Sequence, residues 1–203
     1  MTPEEVEAFD RCVAAGGVAL FPADTVYGLA TDPESEAGVA RLYALKGRRA
    51  ERPAAVMFFD LERALATLGG ELGPRTGAAL RRVLPGAFTL VLPNPSRRYP
   101  LACGPRPDRL GLRVPALDGA LAPLAAARHP VLQSSANRSG GPDARRLAEV
   151  DSMVRAGVDV ELDGGDLPGT PSTVVDLAEY EKDGGFAVLR EGAVPAAEVA
   201  AVL

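Results

Sequence analysis

The chain has 203 residues, of which 47% are hydrophobic, and a formal net charge of −5 at pH 7. That length suits one domain with a full core, and the apolar fraction excludes a disordered chain. The acidic balance argues against a protein whose main task is gripping nucleic acid, and no apolar run approaches the ~20 residues that span a bilayer.

In chain order, Thr2, Pro3 and Glu5 give a T-x-x-E capping box with proline at the first helical position. A helix therefore starts there, with Val6, Phe9 and Val13 on one face and Gly16-Gly17 ending it. Residues 18–21 read as a buried strand and 22–30 as a polar, glycine-containing turn. Ser35 caps a second helix through Lys46, with Val39, Leu42 and Tyr43 facing inward. Residues 54–59 read as a strand, 61–68 and 76–83 as helices, and 88–92 and 110–114 as strands on either side of a Pro/Arg-rich loop. Residues 117–128 read as a helix that Pro123 interrupts, 131–135 as a strand, and Asp143 as the cap of a helix near 144–150. Strands are expected at 158–162, 173–177 and 186–190, and Pro195 opens a last short helix. Segments 94–108 and 179–185, rich in Pro, Gly and charge, are expected to be the most flexible. This alternation predicts an α/β fold of mixed α+β layers, with a twisted, partly parallel sheet and flanking helices in one domain over 1–203.

Several chemistries find no support. The sequence has no G-x-x-x-x-G-K-[ST], no G-x-G-x-x-G between strand and helix, and no G-x-S-x-G. The single histidine, His129, stands before Pro130 and reads as a surface or helix-end residue, so a Ser-His-Asp triad or a His-ligated zinc has nothing to rest on. Cys12 and Cys103 have no metal-binding spacing and read as buried or tolerated thiols. The acidic N-terminus lacks the order of a secretory signal, which predicts a cytoplasmic protein away from membranes.

Polar segments interrupt the apolar strands at 22–29, 46–48, 111–113, 134–140, 169–173 and 189–192. They offer hydroxyls, an amide, arginines and Lys46, in a chain where all but two of the 22 Lys+Arg are arginine. Guanidinium forks, a lysine and neutral donors suit phosphate and carboxylate oxygens. A polyanionic ligand at the converging strand ends follows. Each segment also has a plain reading. Lys46-Gly47 suits a helix C-terminus, Arg113 among strand residues calls for either a carboxylate or a ligand, and Arg190 suits an edge strand.

Taken in order, Pro-x-Asp-Thr-Val-Tyr-Gly-Leu, Lys-Gly-Arg, Pro-Gly-x-Phe-Thr-Leu-Val-Leu, Gly-Leu-Arg-Val-Pro, Ser-Ser-Ala-Asn-x-Ser-Gly, Pro-Ser-Thr-Val-Val-Asp and Leu-Arg-x-Gly resemble the YrdC/YciO family from Gly17 to about Ala193. The Ser-Ala-Asn-x-Ser-Gly element is similar to the threonylcarbamoyl-AMP synthase branch in its single-domain form, the chain being too short for the extra C-terminal domain of longer relatives. The resemblance implies a YrdC-like fold around a large, positively lined concave site. It implies a nucleotidyltransferase that joins L-threonine, bicarbonate and ATP into threonylcarbamoyl-AMP and pyrophosphate. The product would pass to a tRNA threonylcarbamoyl-transferase complex. Residue by residue, Thr25, Arg113, Ser135 and Ser172 would hold threonine. Lys46, Arg48, Arg52, Asn137, Arg145 and Arg190 would hold ATP. No acid–base residue is implied: the carbamate is already anionic, and positioning and charge fall to Lys46 and Arg48. Mg2+ would arrive on ATP, with no protein metal site. Met57 stands where some relatives offer histidine to threonine, and Ala23 where many have threonine. Two other readings remain at this level: a double-stranded RNA or tRNA-binding module with weak tRNA contact, and a paralogue that adenylates another substrate.

Overall fold

Helix α1 (Pro3–Ala14) begins on its expected capping box, Thr2 Oγ1 accepting from the Glu5 N–H and the Glu5 carboxylate accepting from the Thr2 N–H. The computed structural model describes residues 1–47, 49 and 52–203. Among these, nine strands form one sheet: β1 (Ala19–Pro22), β2 (Tyr27–Thr31), β3 (Ala55–Met57), β4 (Phe88–Pro93), β5 (Arg109–Arg113), β6 (Val131–Ser135), β7 (Val160–Glu161), β8 (Thr173–Asp176) and β9 (Ala187–Arg190). Their spatial order is β7-β1-β2-β6-β3-β5-β4-β8-β9. The pairs β1/β7, β3/β5 and β4/β8 are parallel and the remaining neighbours antiparallel, a mixed sheet as expected.

Alternation along the strands divides the sheet's faces. Leu20, Leu29, Val56, Leu90, Leu112, Leu132 and Val175 point to one face. There they meet α2 (Glu36–Lys46), α3 (Leu61–Leu68), α4 (Pro74–Val83) and α8 (Ala196–Val202) through Leu42, Leu68, Leu80 and Val199. Helix α2 is capped at Ser35 and ended by Gly47 at φ 57. Its Gly38 lies so close to β2 that a Cβ would strike Thr31 Oγ1. On the other face, Phe21, Ala30, Met57 and Val131 are covered by Val6, Phe9 and Val13 of α1 and by Leu124 of a 3-10 helix, Gly119–Ala126. That cover stops partway across, and the rest of this face is open.

Three expectations change. The supposed turn 22–30 contains a central strand, β2, all five of whose residues are buried, so no polar/apolar alternation marks it. The helix near 144–150 is absent apart from a 3-10 turn, Leu147–Glu149. The Ala144 and Arg145 carbonyls instead accept from the Tyr27 and Leu167 N–H groups at 2.9 Å each, which ties the segment to β2 and the 163–169 loop. Within 117–128 the 3-10 helix, Gly119–Ala126, stands in place of an α-helix. In the loop 94–108, α5 (Pro100–Cys103) follows a buried Asn94, whose Nδ2 donates to the Arg98 and Pro107 carbonyls at 2.9 Å. Two further short helices are α6 (Ser152–Arg155) and α7 (Tyr180–Asp183).

Candidate active site

Strand registers set the uncovered half of the second face in rows. Gln133, Ala55, Gly111, Val91 and Asp176 stand side by side across β6, β3, β5, β4 and β8. This row is small and apolar in the middle and polar at its ends. The next row carries Thr89, Val174 and Arg190, with Arg113 two residues beyond Gly111 on β5. Over these rows lies a hollow of about 360 Å³, also lined by Ser134, Ser135, Ser172, Arg106 and Arg109.

The floor of the hollow holds a buried ion pair. Arg113 Nη2 donates to Asp24 Oδ1 at 2.6 Å and to Thr25 Oγ1 at 3.3 Å, while Nη1 donates to Gln133 Oε1 at 3.3 Å. Asp24 Oδ2 accepts from the Ala116 N–H at 3.2 Å. The two side chains are 4% and 6% exposed, so solvent screens the pair little. Burial pushes the Asp24 carboxyl up against the lowering effect of Arg113 and its hydrogen bonds. Burial draws Arg113 down, with Asp24 opposing and the nearby Arg190 charge reinforcing. A guanidinium titrates so high that Arg113 remains charged. Its Nε is buried with no hydrogen-bond partner among the described residues. A buried donor left this way is unfavourable, and a ligand oxygen would relieve it.

A second buried cation sits beside the first. Lys46, 2% exposed, ends α2 and donates through Nζ to the Ser135 carbonyl, to the Asn137 carbonyl at 2.7 Å and to Asn137 Oδ1 at 3.1 Å. Ser135 Oγ donates to Asn137 Oδ1 at 2.6 Å, and Asn137 Nδ2 to the Gly141 carbonyl at 2.5 Å. The loop after β6 is thus wrapped on the C-terminus of α2, and the Ser139 N–H donates back to the Lys46 carbonyl at 2.7 Å. Lys46 is thus a helix-end cation whose ammonium also holds the loop beside the hollow. On the opposite wall, Ser172 Oγ and Thr89 Oγ1 are hydrogen-bonded at 2.8 Å, and Arg190 Nη2 donates to the Ser172 carbonyl at 2.7 Å.

Of the residues singled out from sequence, Arg113, Ser135, Ser172 and Arg190 line the hollow. Thr25, Lys46 and Asn137 join it through hydrogen bonds to the lining. Arg52 is exposed next to the lining residue Pro53. Arg145 is outside the lining, 3.6 Å from Asp166 in an exposed ion pair. Arg48 lies outside the described residues. Met57 is fully buried in the apolar cluster beneath α1, so it offers a ligand no surface. His129 is remote, its Nδ1 3.0 Å from Asp10 Oδ1. Sequence reasoning named neither Asp24 nor Gln133 as site residues. Counting two back from Ser135 along the strand reaches Gln133 on the same face, so alternation carried that signal. Among the described residues no group of three His, Cys, Asp or Glu could hold a metal ion, and no helix is long and apolar enough to cross a membrane.

The arrangement suits two anionic groups held close together, a carboxylate at Arg113 Nε and phosphates near Lys46, Ser135 and Arg190. The family model Sua5_yciO_yrdC, described as telomere recombination, matches residues 11–192. The chain is 31% identical over 206 residues to a threonylcarbamoyl-AMP synthase of Pyrococcus abyssi, covering 98% of this chain and 59% of that protein. It is 37% identical to one from Thiobacillus denitrificans, covering 80% and 86% respectively. The structure of P. abyssi Sua5 complexed with L-threonine superimposes with a TM-score of 0.86 at 28% identity, over 100% of this chain and 58% of that one. The E. coli YciO structure, at 24% identity and a TM-score of 0.78, shares the fold.

Proposed function

The chain belongs to the Sua5/YciO/YrdC family, and from that premise we propose that it is an L-threonylcarbamoyladenylate synthase, a nucleotidyltransferase acting on L-threonine, bicarbonate and ATP. The observation that carries the proposal is the unpartnered Nε of buried Arg113, in a hollow bounded by the Lys46–Ser135–Asn137 cluster. The threonine carboxylate takes Nε, with the Thr25 hydroxyl on Arg113 itself and the Ser172 hydroxyl, bonded to Thr89, on the opposite wall. The triphosphate lies toward Lys46, Asn137 and Arg190, with Arg48 as a further phosphate cation and with Arg52 and Arg145 as cations that closure would have to bring in. One carbamate oxygen of N-carboxythreonine attacks the α-phosphorus. The bond from that phosphorus to the bridging oxygen of the β-phosphate breaks, and pyrophosphate leaves with the electron pair.

Two anions must approach one another, so cationic side chains on both sides of the reacting phosphorus supply most of the catalysis. Mg2+ would accompany ATP as its counter-ion and add to the charge neutralisation that Lys46 and Arg190 supply. The mixed anhydride would then pass to the complex that transfers threonylcarbamoyl to tRNA. The test is pyrophosphate release with ATP, bicarbonate and L-threonine supplied singly and together. Release that needs all three, with the adenylate recovered, is the expected result. Release without threonine, or none with all three, overturns it.

A further inference from the structure

We propose that Asp24 sets the selectivity of the hollow: by holding the Nη2 edge of Arg113 it leaves one place for a carboxylate, at Nε, and closes that place to simple anions. The inference rests on the reading of the hollow as an amino-acid site.

Asp24 is fixed at both oxygens, Oδ1 by Arg113 Nη2 at 2.6 Å and Oδ2 by the Ala116 N–H at 3.2 Å. It cannot swing aside without losing one of them. With Thr25 Oγ1 also on Nη2 and Gln133 Oε1 on Nη1, the edge of the guanidinium left to a newcomer is the one at Nε. The floor's own charges are Arg113, positive, and Asp24, negative, so the pair is neutral, while Arg106, Arg109, Arg190 and Asp176 line the hollow around it. A bare buried guanidinium would take any small anion, because an unpaired charge at that depth is strongly unfavourable. With Asp24 in place the guanidinium is already neutralised, and an incoming carboxylate also meets the repulsion of Asp24. Net binding then depends on further hydrogen bonds, which the hydroxyls of Thr25 and Ser172 offer to a hydroxylated amino acid. Discrimination through a repulsive element is a general route to specificity. Asp24 is on this account a positioning residue, acting through Arg113.

The test titrates the full chain calorimetrically with L-threonine and with butyrate, a carboxylate of the same carbon count lacking amine and hydroxyl. Wild type is expected to bind L-threonine and to bind butyrate much more weakly. In Asp24→Asn the preference for L-threonine over butyrate is expected to fall about tenfold or more, because butyrate gains. Asp24→Glu, which keeps the charge, is expected to retain most of the preference. A preference unchanged in Asp24→Asn overturns the inference, whether both affinities survive or both weaken together as a purely structural role requires. A wild type that binds neither ligand overturns the amino-acid reading itself, an outcome distinct from the first. Should Asp24→Asn fail to fold, the wild-type Arg113 Nε–H resonance decides, assigned by its disappearance in Arg113→Lys. It is expected to move with L-threonine and stay in place with butyrate at the same concentration. Movement with both, or with neither, overturns the inference.

Discussion

One face of one sheet serves two ends. Under α1 it is a core, with Phe21, Ala30, Met57 and Val131 closed over by Val6, Phe9 and Val13. A few residues along the same strands it is a site, with Ala55, Gly111, Gln133 and Ser135 facing the hollow. On β3 the step from Met57 to Ala55 crosses the boundary, and on β6 the step from Val131 to Gln133 does the same. The strands are equally regular on both sides, so the difference lies in the cover and in side-chain size. Large apolar groups fill the closed half, where Phe9, Phe21 and Phe59 meet at ring centroids 5.4 to 6.1 Å apart. Small or polar groups leave the open half hollow, with the Nε of Arg113 buried and unpartnered among the described residues.

If the halves are separable, mutations should sort by half. The largest effect is expected for Arg113→Ala, which strands Asp24 as a buried carboxylate without its cation and costs about 3–5 kcal/mol of stability. It is also expected to abolish L-threonine binding. Urea denaturation and calorimetry on the same preparation measure both, and retained binding would show that the open half is not organised around Arg113. Phe9→Ala, on the closed half, is expected to cost a similar ~3–5 kcal/mol through the cavity it leaves, while the KM for L-threonine in the folded fraction stays unchanged. A manyfold rise in that KM would break the comparison, since it would couple the aromatic cluster to the hollow.

Sequence made the closed half and the helices readable because their signals are local. Thr2 and Glu5 are three residues apart, and Ser35 and Gly47 bracket one helix. The open half was readable only in part. Cations and hydroxyls at strand ends pointed to Lys46, Arg113, Ser135, Asn137, Ser172 and Arg190, and the fold brings these together. Asp24 was hidden because its partner Arg113 lies 89 positions away, and nothing in Pro-Ala-Asp-Thr says which cation will meet it. Strand β2 was hidden for another reason. Its neighbours β1 and β6 and both faces bury it, so Tyr-Gly-Leu-Ala-Thr shows no alternation and its glycine resembles a turn. The helix expected near 144–150 failed because two of its carbonyls serve distant N–H groups; capping propensity at Asp143 could not outweigh those tertiary bonds.

A smaller effect sharpens the comparison at its boundary. Ser172 bonds Thr89 on one wall of the hollow at 2.8 Å, and losing one neutral hydrogen bond costs about 1 kcal/mol. Ser172→Ala is therefore expected to lower the urea midpoint slightly and, because the same hydroxyl is placed against the amino acid, to raise the KM for L-threonine several-fold with kcat nearly unchanged. A fall in kcat with KM constant would place the hydroxyl at the reacting phosphorus instead of at the amino acid.

The smallest effect is expected at Tyr27, which packs in the core of the covered face yet steadies the 163–165 loop through its hydroxyl. Its hydroxyl donates toward Asp163 Oδ1 at 2.9 Å and Gly165 O at 3.0 Å and accepts from the Gly164 N–H at 3.0 Å, so it pins the loop that runs on to Ser172. Asp163 and Gly165 are exposed, and water can replace the phenol there. Tyr27→Phe should thus cost only about 1 kcal/mol. The phenol's pKa is pushed up to about 12, first by burial and then by the Asp163 carboxylate, against its ordinary 10.0. A group raised on folding stabilises fully below its unfolded pKa and loses that contribution as pH rises through its folded one. The stability difference between wild type and Tyr27→Phe should therefore hold constant up to pH 10 and shrink above it. A difference that widens in that range would mean the phenolate, not the phenol, is what the loop holds.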